Sequence, residues 1–378
     1  QAAQAAAHDV ALIPWVNGAL LLFWESHRAA TRRRAAVYTA AIGLLLGLSL
    51  LTKGLTGIAV VGVAYGAYLL VTGQLTFAAC GRGAAALLIA AAVAAPWYAV
   101  VELRNPGYLR YWFVERHVLG YVCGTQSHGG ESWWYYLPIV LGGGLPWIAY
   151  LPVAMQDGWI RWKAAHGCAS EGVRVGSGRP DRASVLLWCW LIGGTLFFSF
   201  AHSKLVTYVW PMFPAAALLA AVAWTRLLEG TLCQNARRTL AGTVILSCAL
   251  GPVLLPAAMI VVQQKCQSLF SGTAWAAAIL AALTSCVPAG FWLAKRARLT
   301  LSSAALSLAV QFLFVMTALV PSVAATTSGR ELAGHFNRLG HLPRRLLFAD
   351  ERIGSFVFYL TPELRAGLRD GQLQQVHL

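Results

Sequence analysis

The sequence predicts an all-α polytopic membrane protein that leads, at its carboxyl end, into the start of an external α/β domain. Three observations predict it. Hydrophobic residues make up 58% of the chain and charged residues only 11%, with a mean hydropathy of +0.61, far from the balance of a water-soluble domain. Apolar runs close to the roughly 20 residues that cross a hydrocarbon core recur as far as residue 325. The loops between them are basic on alternate sides, as cytoplasmic loops are.

About ten runs are long enough. They fall near residues 10–25, 35–52, 55–72, 84–101, 134–154, 184–201, 205–225, 240–262, 273–294 and 301–324. Apolar residues surround each helix instead of striping one face, which suits lipid-embedded spans. One set of alternate loops holds Arg28, Arg32 to Arg34, Arg82, the Arg161 to Arg182 segment, Arg226, Arg237, Arg238 and Lys295 to Arg298, sixteen Lys and Arg in all. The opposite short loops hold six: Lys53, Arg104, Arg110, Arg116, Lys204 and Lys265. The first set is therefore cytoplasmic. Much of the formal charge of +15 is topology signal and calls for no nucleic-acid partner, although it suits the anionic headgroups of membrane lipids. The same parity puts Asp9, the LTKGLTG turn, the loop 102–133, the AHSKL turn and everything after about residue 325 on one external face.

Residues 1–325 thus read as a transmembrane helix bundle and 326–378 as the beginning of a soluble external domain. The chain opens on Gln1 with no leader pattern, and it reads as a piece of a longer protein, with an amino-terminal span and a first external loop preceding it. In the external part, Ser328 to Glu331 has capping-box spacing for a helix with Leu332, Phe336 and Leu339 on one side. RLLFA and SFVFYL read as strands around ADERIG. The eight cysteines show no metal spacing, and Cys123 and Cys266 share the external side, where a disulfide can form.

Four features carry chemistry. Lys53 reads either as a helix-end lysine snorkelling to the interface or as a cation for a lipid phosphate; it stands on the side that avoids lysine, beside Gly54 and Gly57. In AHSKLVTYVWPMFP, Lys204 is the lone charge between two spans, with Ser203, Thr207 and Tyr208 as hydroxyl donors, again either an interfacial belt or a second phosphate contact. The loop RNPGYLRYWFVERHVLGYVCGTQSHGGESWWYYLP is an interfacial helix or a gathering of Arg110, Arg116, Glu115, His117, His128 and Glu131 around a charged substrate or a divalent metal ion, with Glu115 and His117 the candidate ligands. Asp9, at a helix mouth, is an N-cap or a working carboxylate.

LLTKGLTGI, APWYAVVELRNPGYLRYWFVERHVLGY, SWWYYLP and HSKLVTYVWPMFPAAALL, in this order, resemble lipid-linked-sugar glycosyltransferases of the GT-C type. The chain is similar to the bacterial aminoarabinose (lipid A) transferases and to the protein O-mannosyltransferases, over most of residues 9–225. The resemblance implies a multi-span helical body that moves a sugar from a polyprenyl phosphate to an acceptor outside the bacterial cytoplasmic membrane. It also implies residue roles. Asp9 matches an acidic position at the head of an early span and acts as a secondary carboxylate, the principal base lying upstream. Lys53, Lys204 and Tyr208 match positions near the donor phosphate. The ERH segment matches an external motif of a metal or phosphate site, with Glu115 where His is often found and Gly120 where Arg is frequent.

The chemistry agrees. Sugar transfer from a phosphodiester needs a base for the acceptor hydroxyl and fixed positive charge for the departing phosphate. No Gly-rich nucleotide loop is present, so a lipid-borne donor fits better than a nucleotide sugar. A single inverting displacement onto a glycolipid, protein or polysaccharide acceptor is the expected reaction. The alternative is a transporter or flippase for lipid-linked saccharides, which would place ionisable groups near the midplane and often shows inverted repeats; these spans do neither.

Overall fold

The computed structural model describes residues 8–123, 131–145, 147–165, 182–248, 272–319, 321, 329–349, 353–369 and 371–376. They fall into two compact units, with the boundary between Val244 and Ile245.

In the first unit, α1 (His8–Arg28), α2 (Arg32–Lys53), α3 (Thr56–Val71) and α4 (Phe77–Arg104) follow one another through short turns. Threonines start two of them. Thr31 and Thr76, both in extended backbone, accept from the amides of Arg34 at 3.3 Å and Ala79 at 3.2 Å, which satisfies donors that a helix leaves orphaned. Small residues bring α2 and α4 together. A Cβ on Gly43 would come within 2.6 Å of the Ile89 Cβ and one on Gly47 within 2.7 Å of the Val93 Cβ, and Ala86 and Ala90 are fully buried alongside. This is close backbone approach of the small-xxx-small kind, effective where lipid removes the hydrophobic drive for association.

A π-type helix, Arg110–Leu119, runs on into α5 (Gly120–Cys123). Then come α6 (Tyr136–Gly143), a 3-10 turn Trp147–Tyr150, α7 (Leu151–Ala165), α8 (Arg182–Ser199), a second 3-10 turn Val206–Met212, α9 (Phe213–Leu228) and α10, described over 234–248, of which 234–244 belong to this unit. Val16, Leu20, Val60, Tyr68, Trp190, Met212 and Leu219 form the centre of the core, joining α1, α3, α8 and α9. At the Arg-rich end a charge cluster that the sequence did not announce fastens α7 to α9. Asp157, 1% exposed, accepts from Arg161 Nε at 2.8 Å, from Arg226, and from Cys233 Sγ at 2.9 Å. Burial, and then the Asp157 carboxylate, push the Cys233 thiol up to about 11.

Among the described residues, six helices are long and apolar enough to cross a membrane: Arg32–Lys53, Phe77–Arg104, Arg182–Ser199, Val206–Leu228, Trp275–Leu293 and Ala297–Ala318. The protein is therefore a multi-pass membrane protein, but the expected ten spans are not all of that kind. The run at 55–72 forms a helix of only 16 residues, and the run at 134–154 is a helix pair bent by 94°, the geometry of a broken span or a re-entrant loop. The Gly142 to Gly144 triplet there weakens continuous helix. The run at 10–25 is α1, and that at 240–262 is described only as far as 248.

In the second unit, α11 (Gly272–Leu293) and α12 (Ala297–Phe314) pair through polar bonds, Ser307 Oγ donating to Thr284 O at 2.9 Å and Gln311 Nε2 to Thr284 Oγ1 at 2.6 Å. Further on, α13 (Arg330–Leu339), β1 (Leu346–Ala349), α14 (Ile353–Tyr359), α15 (Pro362–Ala366) and β2 (Leu373–Val376) build the α/β part around Ala333, Phe348, Phe356 and Leu360. The strands pair in parallel, Leu346 opposite Leu373.

Two expectations are corrected here. SFVFYL is a helix, not a strand: Phe356 and Leu360, four apart, are buried while Phe358 is 68% exposed, and a parallel pair needs a crossover to join its strands. On α13 the buried positions are Ala333 and, in part, Phe336, with Leu332 and Leu339 exposed. Ser328 of the expected capping box and Cys266 of the expected disulfide lie outside the described residues, and Cys123 is a free, exposed thiol.

Candidate functional site

The site grows from the end of α2. Gly54 stops the helix with φ of +62°, a conformation that L side chains rarely adopt, and its amide bonds back to Leu50 O at 2.9 Å. Nor is there room for a side chain, since a Cβ on Gly54 would overlap the His117 imidazole and come within 3.0 Å of Trp112 Nε1. The TKG turn is therefore shaped by the π-type helix Arg110–Leu119 that lies on it.

That helix is fastened to the last carbonyls of α2. Tyr98 OH donates to Leu50 O at 2.8 Å and accepts from Trp112 Nε1 at 3.1 Å. His117 Nε2 lies 3.0 Å from Lys53 O and His117 Nδ1 lies 2.6 Å from Trp112 O. His117 thus takes up a carbonyl that a helix end leaves unpaired, and Tyr98 adds a second bond to Leu50 O, which already accepts from Gly54 N. The Lys53 ammonium points to the other side, 3.9 Å from the centre of the Tyr208 ring, in cation–π contact.

Tyr208 belongs to the 3-10 turn that opens α9, one turn beyond Lys204. Lys204 is only 7% exposed, and its Nζ donates to Glu131 O at 3.1 Å. The same turn is braced by Tyr136, whose hydroxyl donates to Leu205 O and accepts from Leu205 N, both at 3.1 Å. Tyr121 holds the neighbouring strand of chain, its OH donating to Phe197 O at 2.5 Å and its carbonyl accepting from His202 N at 3.1 Å. Burial pushes the Tyr121 phenol up, which keeps it a donor.

Lys53, Tyr208, His117 and Lys204 are thus gathered at one end of the first unit by α2, the π-type helix Arg110–Leu119 and the turn before α9. Asp9 occupies the first turn of α1. The remaining candidates stand apart. Arg110 is paired with Glu115 at 3.6 Å, with side chains 82% and 48% exposed, and Arg116 stacks its guanidinium 5.7 Å from the Trp112 ring.

No group of three or more His, Cys, Asp and Glu able to hold a metal ion exists among the described residues. Glu115 and His117 do not fit a divalent ion in this arrangement, since both ring nitrogens of His117 face carbonyl oxygens and Glu115 faces Arg110. His128 lies outside the described residues. Sequence reasoning missed Tyr98, Tyr136 and the Glu131 carbonyl, and in it Trp112 is only a headgroup-level aromatic of an interfacial helix; the density of aromatics in APWYAVV and SWWYYLP was the available signal.

No family model matches the chain. It is 33% identical over 223 residues to the undecaprenyl phosphate-alpha-4-amino-4-deoxy-L-arabinose arabinosyl transferase of Aeromonas salmonicida (strain A449), covering 59% of this chain and 38% of that protein. It is 34% identical over 214 residues to arabinosyl transferase 1 of that name from Sodalis glossinidius (strain morsitans), covering 56% and 35%. The chain therefore spans well under half the length of these relatives. Among solved structures, ArnT from Cupriavidus metallidurans superposes with a TM-score of 0.69 when bound to undecaprenyl phosphate and 0.64 in the apo state, at 24% identity in both, covering 94% and 93% of this chain and 62% and 60% of that one. The homologues of this chain are thus arabinosyl transferases named for an undecaprenyl phosphate-linked donor, and its fold is that of ArnT, the GT-C glycosyltransferase fold.

Proposed function

We propose that the chain is the greater part of the helical body of a membrane glycosyltransferase, which moves a sugar from a polyprenyl phosphate carrier to an acceptor on the external face of the bacterial cytoplasmic membrane. One observation carries this reading: Lys53 and the buried Lys204 are held at the same end, with Tyr208 between the turn of one and the side chain of the other. A buried ammonium is costly unless an anion or hydrogen-bond acceptors meet it, and a departing lipid phosphate needs such fixed charge. The names of the relatives favour 4-amino-4-deoxy-L-arabinose as the sugar and undecaprenyl phosphate as the carrier. A lipid A-like glycolipid is the favoured acceptor.

In this reading Lys53 and Lys204 neutralise the phosphate, Tyr208 orients the Lys53 ammonium, and the external helix presses the TKG turn into place. Arg110 and Arg116, on the exposed side of that helix, attract the anionic donor without gripping it. Asp9 serves as a secondary carboxylate, and no step is routed through a metal. Displacement in one step inverts the anomeric centre. Polyprenyl phosphate binding, followed by native mass spectrometry on the full-length protein, tests the reading. Lys53→Ala and Lys204→Ala should each weaken it, and indifference to both would reduce Lys53 to an interfacial anchor. Retention of anomeric configuration, seen by NMR of the product, would remove the single displacement.

A further inference from the structure

At the opposite, Arg-rich half of the first unit, away from Lys53 and Tyr208, a cavity of about 410 Å³ opens between α1, α8 and α9. Leu20 and Trp24 of α1, Leu186 and Trp190 of α8, and Leu218 and Val222 of α9 line it. Leu21 and Leu218, 50% and 38% exposed, stand at its opening on the outer surface of the helices. α8 and α9 are spans by length and composition, so the opening faces hydrocarbon and its occupant is an apolar chain from the bilayer.

The headgroup end is basic. Arg28 lies 5.5 Å over the ring of Trp24, itself a wall of the cavity, while Arg182, which directly precedes the lining residue Ala183, holds its guanidinium against the Gln74 amide. Arg226 and Glu229 close that end, Arg226 being engaged by Asp157. Glu25 partners Arg28 only loosely, at 3.8 Å and well exposed. Arg32, Arg33 and Arg34 open α2 four to six residues after Arg28, so cations outnumber acids at headgroup depth. By the loop-charge asymmetry this is the cytoplasmic leaflet.

An apolar slot between spans under a basic rim has the chemistry that recognises an anionic phospholipid. We propose that this cavity holds an acyl chain of an anionic phospholipid of the cytoplasmic leaflet, with its headgroup on Arg28. The site is separate from the carrier site proposed above and stands whether or not that reading holds.

Native mass spectrometry of the delipidated full chain, titrated with phosphatidylglycerol and with phosphatidylcholine of the same acyl chains, tests it. Phosphatidylglycerol should be retained preferentially. Arg28→Gln should lower its retention about five-fold and leave phosphatidylcholine unchanged, the effect of about one surface cation. Ala221→Trp, which fills the slot, should abolish retention of both; Leu21→Trp, at a half-exposed position, serves if that variant misfolds. Equal retention of the two lipids, retention unchanged by both filling variants, or displacement of phosphatidylglycerol by polyprenyl phosphate would each overturn the proposal.

Discussion

The Lys53 ammonium stands 3.9 Å above the centre of the Tyr208 ring, joining the end of α2 to the turn that opens α9. The contact orients a long flexible side chain that otherwise samples many rotamers. Under the carrier-phosphate role proposed for Lys53, Tyr208→Leu should weaken polyprenyl phosphate binding about five-fold, the worth of roughly 1 kcal/mol of cation–π contact. Tyr208→Phe keeps the ring and should stay within about two-fold. Equal losses in a competition titration would show that the hydroxyl, not the ring, matters.

Gly54→Ala strains a backbone at φ +62° and drives a methyl into the His117 ring. A cost of about 1–3 kcal/mol is expected. The π-type helix should lift first, so hydrogen–deuterium exchange over 110–123 ought to rise while the α2–α4 contact stays protected. Uniform deprotection of both regions would mean that the turn holds the whole bundle.

The Trp112–Tyr98–Leu50 relay makes a sharper claim. Tyr98→Phe leaves the Trp112 indole without its acceptor and should cost about 1–2 kcal/mol in thermal unfolding. Adding Trp112→Phe should cost less than the sum of the two single changes, because they share one hydrogen bond. Strict additivity would dissolve the relay.

At the other end, Asp157→Ala leaves Arg161 and Arg226 facing each other without a counter-charge. Loss of about 3–5 kcal/mol is expected for removing one partner of a buried ion pair. Cys233→Ser keeps a donor to Asp157 and should cost less than about 1.5 kcal/mol. Detergent melting curves that rank the two the other way would show that the thiol, not the arginines, holds the carboxylate.

The helical body was legible because lipid leaves few options: long apolar runs must be helices, and loop charge orients them. The gathering of Lys53, Tyr208 and Lys204 followed from that parity, which puts their turns on one face before any contact is known. Tyr98 and Tyr136 were illegible, because a tyrosine near a membrane boundary reads as a belt residue until its hydroxyl is seen to reach a carbonyl. SFVFYL failed for a different reason: six apolar residues without alternation fit a buried strand and a buried helix equally, and only the parallel pairing of β1 with β2 decides.

The Asp157 cluster also bears on the order in which the chain is assembled. Arg161 lies four residues from Asp157 and can meet it as soon as α7 forms, whereas Arg226 is 69 residues away and emerges only after α8 has been made. The newly inserted α7 therefore carries a carboxylate with one partner in place and two, Arg226 and Cys233, still to be translated. A nascent chain halted before residue 226 would present that half-closed charge to the insertion machinery, and α7 would reach its final seat only when α9 arrived.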